Sequence, residues 1–265
     1  MESTPSMTCA WPAPDQLPDL RESAVHVWCV WLDASEAESD PRSPILSAEE
    51  REQAGRMRLG HVRRRFVARR AALRRILGRY LNAGPEAIRF DRGAYGKPSL
   101  AQPLSGSRIR FSTTHSAGVA LVAMALDTDV GVDIEQIRAN IEYEDLCRRY
   151  FAPSEQASVG RFPEAERLAA FFRGWARKEA VMKALGTGLS LGLDQLVVSL
   201  EAGPAPKIYS IQGSAAAAGR WHLNDLQPVP GYVAALARPA GPCRVECFRW
   251  AGIGTRDSVT RQNGL

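Results

Sequence analysis

Val130-Gly131-Val132-Asp133-Ile134-Glu135 decides how this chain is organised, because it reads as a strand that opens a second structural unit. A period of two puts Val130, Val132 and Ile134 on one face and Asp133 and Glu135 on the other, with the acidic Cα atoms roughly 7 Å apart. Two carboxylates that close repel unless a cation or a basic partner lies between them. Mg²⁺ is held in this way, by one or two carboxylates together with substrate phosphates. Taken alone, the pair is more often simply what a solvated strand face carries.

Toward the N-terminus, Asp127-Thr128-Asp129 turns back into an apolar strand, Ala117 to Leu126, preceded by a strand from Arg108 to Ser112. His115, in Thr113-Thr114-His115-Ser116, falls at a polar turn where hydroxyls and amides beside an imidazole suit a phosphate. The plainer reading is a surface histidine. Before these strands lies a loop, Gly93 to Pro98, and before that a long helical pattern. From Arg56 to Arg79 it holds ten arginines and no acidic residue. Its apolar positions are Val62, Phe66, Leu73, Leu77 and Tyr80, and Arg69 and Arg70 fall on the flanks of that stripe, where they suit an anion at the edge of a packed face. Ser47-Ala48-Glu49-Glu50 has the capping-box pattern of a helix start, and Ala24 to Leu32 alternates as a strand.

Toward the C-terminus, Tyr143 to Phe151 and Glu164 to Leu185 read as helices, the second opened by Pro163 and closed by Gly186. Short strands follow at Gln195 to Leu200, Lys207 to Ile211, Gly231 to Ala237 and Arg244 to Trp250. The order strand, helices, strands therefore occurs twice, although no residue-level repeat accompanies it. The expected organisation is a mobile leader (1–23), an N-terminal half (24–128), a C-terminal half (129–250) and a disordered tail (251–265). In the helix from Glu164, Leu168, Phe171, Phe172, Trp175 and Met182 form the expected buried stripe, and Glu179 lies about 30° from its centre. A carboxylate there must be paired, protonated or bound to metal. Lys183, one turn on, is the obvious partner, and a buried Glu179–Lys183 bridge is the plain alternative to a metal site.

Composition narrows the classes. With 45% hydrophobic and 24% charged residues, the 265-residue chain is of the ordinary globular type. No apolar run approaches the ~18 residues of a membrane helix, and Met1 to Pro18 lacks the pattern of a signal peptide, so a cytoplasmic protein is expected. Cys9, Cys29, Cys147, Cys243 and Cys247 have no metal-binding or disulfide-framework spacing and are expected as free thiols. The positive charge comes from 30 arginines and four lysines, Lys97, Lys178, Lys183 and Lys207. In such a chain a lysine marks a place that wants a compact ammonium rather than a planar fork.

Gly131-Val132-Asp133-Ile134-Glu135 and, about 40 residues later, Trp175-Ala176-Arg177-Lys178-Glu179-Ala180-Val181-Met182-Lys183-Ala184 resemble the two signatures of the 4′-phosphopantetheinyl transferases. Tyr95-Gly96-Lys97-Pro98 and Thr114-His115-Ser116 match two further blocks of the long members that activate peptide and polyketide synthases. The resemblance spans about residues 24 to 238. It implies an α+β fold of two similar α/β halves related by a pseudo-twofold, with coenzyme A in the cleft between them. It implies transfer of 4′-phosphopantetheine from coenzyme A to a serine of an apo acyl or peptidyl carrier protein, with Mg²⁺, releasing 3′,5′-ADP.

By the same resemblance Asp133, Glu135 and Glu179 hold the metal; Asp133, Glu179 and Lys183 are the expected catalytic group, with Glu179 the candidate base because a carboxylate in an apolar stripe is the one whose pKa is tuned. Lys183 and His115 contact phosphates, Lys178 helps to hold one, Lys97 lies near the nucleotide and Arg70 meets the 3′-phosphate; Thr114, beside His115, is expected at the same phosphate from its hydroxyl and amide. Where the bacterial peptide-synthase type has lysines, this chain has Glu50 and Gln53, so the arginine-rich helix is expected to supply that charge. A monomer without membrane or nucleic-acid partners is expected. The competing reading, a nucleic-acid-binding protein using the Arg56–Arg79 helix, accounts for the basic run but leaves three acidic positions facing phosphate.

Overall fold

The computed structural model describes residues 9–33, 40–93, 95–203 and 205–251. A first run of elements comprises β1 (Ala24–Trp31), α1 (Ala48–Arg56), α2 (Gly60–Leu81), the ribbon β2 (Phe90–Arg92) and β3 (Pro98–Leu100), and the hairpin β4 (Ile109–Ser116) and β5 (Val119–Leu126). A second comprises β6 (Gly131–Gln136), α3 (Tyr143–Tyr150), α4 (Pro153–Arg161), α5 (Glu164–Leu185), the ribbon β7 (Leu196–Val198) and β8 (Ile208–Ile211), the single turn α6 (Ala215–Ala218), and the hairpin β9 (Trp221–Leu226) and β10 (Tyr232–Pro239). In the first sheet β5 lies between β1 and β4, and in the second β10 lies between β6 and β9, all antiparallel. Each half is thus a strand, a 22-residue helix, a two-stranded ribbon and a hairpin that returns to the strand. The repeat expected from the pattern is present in the topology.

Alternation along the strands sets the layers. Val25, Val27 and Cys29 of β1 and Val119, Leu121 and Ala123 of β5 pack with Val132 and Ile134 of β6 and Leu236 of β10 in a core between the sheets. The opposite faces, Trp28, Val30, Ala120 and Val122, pack on α2 through Leu73, Ile76 and Leu77, while α5 covers the outer face of the second sheet at Ala235 and Ala237. Gly131 lies where α5 crosses β6. A Cβ there would stand 2.0 Å from Ala180 O and 2.3 Å from Ala184 N, so only glycine allows helix and strand to approach this closely. The sheets meet at β4 and β6 through side chains: Ser112 Oγ accepts from Val132 N at 3.2 Å and Ser116 Oγ accepts from Gln136 N at 3.1 Å.

Several expectations change. Arg244–Arg249 forms β11, which runs parallel to β1 in the first sheet and does not belong to the C-terminal half. Residues 9–23 are packed rather than a mobile leader: Cys9 is buried with Trp11 against it, and Pro12 O accepts from Arg249 N at 2.8 Å. Residues 1–8 and 252–265, the rest of the leader and nearly all of the tail, lie outside the described residues. His115 sits within β4, which continues to Ser116, not at a turn after Ser112. Helix α4 and strand β9 were not foreseen. The buried positions of α4 are Glu155 and Val159, which do not read as an apolar stripe, and Asn224-Asp225 gives β9 the look of a turn. No helix among the described residues is long and apolar enough to cross a membrane.

Candidate active site

The side chains of Asp133 and Glu135 leave β6 on the face opposite its valines, toward α5, as the period requires. Asp133 is 4% exposed. Its Oδ1 accepts from Thr114 Oγ1 at 2.8 Å and from Lys183 Nζ at 2.6 Å, while its Oδ2 is buried with no partner. Burial raises its pKa against the pull of Lys183. Glu135 accepts from Ser116 Oγ at 3.0 Å and is pushed up to about 7, first by burial and then by the charge of Asp133. Glu179 is also raised, by burial and by Asp133, with Lys183 opposing.

Glu179 and Lys183 line a cleft of about 290 Å³ together with Lys97, Tyr95, Ser112 and Thr113. Lys97 Nζ donates to Asp129 Oδ1 at 2.9 Å and to Ala184 O at 3.3 Å, tying the turn after β2 to the second half. His115 is exposed on β4, and Arg69 Nη1 lies 2.9 Å from its Nδ1. Crowding of the ring by protein, followed by the charges of Arg69 and Lys183, pushes its pKa down to about 4. The ring is therefore neutral at pH 7. A guanidinium only donates, so Nδ1 accepts and the proton resides on Nε2.

The structure revises three assignments. Leu168 and Trp175 are only half-buried, and the buried side of α5 includes Arg177, Lys178 and Ala180, so Glu179 stands at the edge of the packed face rather than near its centre. The Glu179–Lys183 bridge is not formed, because Lys183 turns to Asp133. Lys178 does not reach a phosphate: it is fully buried behind the cleft, paired with Glu155.

Arg70 pairs with Glu50 and lies 4.8 Å over the Phe90 ring, beside the ribbon whose turn carries Lys97. Glu50 also accepts from Arg74 Nε at 2.8 Å and closes the capping box with Ser47. The departure at Glu50 thus has a structural reason, since its carboxylate orients two arginines of α2. Burial alone would raise its pKa, but Arg70, the Ser47 amide and Arg74 together lower it. A depressed carboxylate stabilises the fold above its ordinary value near 4.5 and loses that contribution as pH falls through the folded value. Glu50→Gln is expected to cost about 3 kcal/mol at pH 7 and clearly less at pH 3, measured by urea unfolding at both. Elsewhere on α2, Arg65 pairs with Asp33 and Arg79 lies over Trp250. Part of the basic run is thus engaged within the protein.

Among the described residues no three His, Cys, Asp or Glu side chains converge as a metal cluster. Mg²⁺ needs fewer, since water and phosphate complete its shell. The partnerless, buried Oδ2 of Asp133 and the mutually raised carboxylates fit a cation of that kind. Sequence reasoning missed Asp129, Ser112 and Glu155. Only Glu155 carried a signal, in Ala152-Pro153-Ser154-Glu155, where a proline at the first helical position is followed by an acid in the first turn.

Carboxylates beside lysines at the seam of two like halves are an arrangement that suits a cation and phosphate groups. The family model described as the 4′-phosphopantetheinyl transferase superfamily matches residues 129–237. The 4′-phosphopantetheinyl transferase HetI of Nostoc sp. is 34% identical over 226 residues, 85% of this chain and 92% of that protein. The L-aminoadipate-semialdehyde dehydrogenase-phosphopantetheinyl transferase of Homo sapiens is 31% identical over 58% of this chain and 53% of that one. A 4′-phosphopantetheinyl transferase of Bacillus subtilis is 28% identical over 66% and 76%. The chain belongs to the 4′-phosphopantetheinyl transferase family, whose members move the phosphopantetheine arm of coenzyme A onto carrier proteins.

Proposed function

We propose that the chain transfers 4′-phosphopantetheine from coenzyme A to a serine of an apo acyl or peptidyl carrier domain, in secondary metabolism of the polyketide or nonribosomal-peptide kind. The observation that carries the residue assignment is the cluster of the buried Asp133 and Thr114 with Lys183, which lines one cleft together with Glu179. Asp133, Glu135 and Glu179 would hold Mg²⁺. When bound, the ion supplies charge neutralisation for the pyrophosphate.

Lys183 and Lys97 bring positive charge to the cleft, and His115 offers its Nε2 proton to a phosphate oxygen. Glu179, its pKa raised, accepts the proton of the carrier serine. The serine oxygen forms a bond to the β-phosphorus of coenzyme A as the bond to the leaving phosphate breaks, and 3′,5′-ADP departs. All five cysteines are free thiols, which suits a cytoplasmic enzyme, and a monomer is the state we assign.

The test is the intact mass of an apo carrier protein after incubation with this chain, coenzyme A and Mg²⁺. A phosphopantetheine increment is expected, and its absence across acyl and peptidyl carriers overturns the reading. Arg70 is assigned to the 3′-phosphate. Arg70→Ala should raise KM for coenzyme A by about tenfold or more while leaving that for 3′-dephospho-coenzyme A near normal. Because the readout is a ratio, general loss of stability cancels, and equal effects would move the 3′-phosphate to Arg69 or Lys97.

A further inference from the structure

Lys178 is one of only four lysines beside 30 arginines, and its side chain is fully buried. All three of its N–H groups are engaged: Glu155 Oε2 at 2.5 Å, Leu193 O at 2.8 Å and Leu196 O. Three acceptors converging on one nitrogen suit an ammonium and not a planar guanidinium. Glu155, 1% exposed, has further partners, since its Oε2 accepts from Ala152 N and its Oε1 from Val198 N, each at 2.9 Å. One buried pair therefore joins the start of α4, the middle of α5 and the segment 193–198. The Phe151 ring closes it, 4.9 Å from the ammonium.

Two consequences reach the cleft. Successive residues of a helix differ in direction by about 100°, so an anchor on Lys178 also fixes the direction in which Glu179 leaves α5. The segment tied at Leu193 and Leu196 begins with Gly186 and Gly188, which line the cleft. Next to the pair, Arg177 extends the tie to β9, with its Nε 2.9 Å from Asp225 Oδ1 and its Nη2 2.8 Å from Glu201 O. For stability alone such a pair is a poor device, since well-packed apolar residues replace buried ion pairs at little or no loss. Its distinctive product is geometry.

We infer that Glu155 and Lys178 are positioning residues for the transfer reaction, setting the rotation of α5 and the course of residues 186–196 so that Glu179 is presented to the cleft beside Lys183. This rests on the proposed transferase activity. The test uses the full chain as Lys178→Met, Lys178→Arg and the double variant Glu155→Gln/Lys178→Met. The readouts are kcat and KM for transfer, melting temperature, and amide exchange at residues 186–196.

Lys178→Met leaves Glu155 as a lone buried charge and should lose both stability and rate. The double variant removes that charge. It should regain much of the melting temperature while kcat stays on the order of 10–100-fold low, KM for coenzyme A changes little and exchange at 186–196 remains fast. Lys178→Arg should not rescue the rate. A merely structural pair predicts that kcat returns with the melting temperature in the double variant, and that result overturns the inference. So does wild-type exchange at 186–196 in the double variant, a readout that needs no turnover. A wild-type chain that modifies no carrier overturns the transferase reading itself, and is distinct from both.

Discussion

Asp133→Asn should yield a protein that melts no lower than the wild type at pH 7 and has lost turnover by about a thousandfold, some 4 kcal/mol of barrier. The two halves of that expectation have one cause. The carboxylate of Asp133 is buried with Oδ2 unpartnered, and burial raises its pKa. A raised carboxyl stabilises the fold only below its ordinary pKa, and that contribution is lost as pH rises through the folded value. At pH 7 the charged form is thus a burden on the folded state, which a neutral amide of the same shape removes while still accepting from Thr114 Oγ1. Lys183, whose side chain is 30% exposed, can turn toward water when its partner goes. What the amide cannot supply is the negative charge for a cation and the hold on Lys183. A near-normal kcat would remove Asp133 from the site, whereas a fallen melting temperature with a proportional loss of rate would make it a structural residue.

Asp133 also marks how far the sequence could be read. The alternation of β6 is local and strong, so its faces were legible, as was the topological break at Asp127 to Asp129. The partner of Lys183 was not. Helical spacing offered Glu179 one turn away, but the closer acceptor comes from a strand 50 residues earlier, at a distance set by the contact of α5 on Gly131. The same reason hid the role of Lys178. Scarcity of lysine marked it as special, but which side of α5 would be buried depended on Glu155 and on the carbonyls of Leu193 and Leu196, none of them near it in sequence. Cys9 and Trp11 were unreadable for a different cause. A proline-rich stretch with no period gives no sign that its few apolar residues fill the end of a core formed by strands far along the chain.

Glu179→Gln separates the two roles assigned to that residue. The amide is nearly isosteric and keeps an oxygen that can face a cation, but it has no basicity with which to accept the serine proton. As base, Glu179 predicts a loss in kcat on the order of 10²–10⁴ with coenzyme A affinity unchanged. As a metal ligand alone, it predicts weaker coenzyme A binding that excess Mg²⁺ partly restores and a kcat at saturation that stays close to normal. The geometry favours the first outcome. Glu179 lines the open cleft, whereas Asp133 is sealed behind Thr114 and Lys183, so of the two it is Glu179 that an incoming hydroxyl can reach. Stability does not confuse the result: Lys183 bonds Asp133 and not Glu179, and burial already disfavours the charged carboxylate, so the variant should melt no lower than the wild type. If kcat at saturating coenzyme A and Mg²⁺ is normal, the proton of the carrier serine goes elsewhere, and Glu135, with its pKa near 7, is the next group to replace.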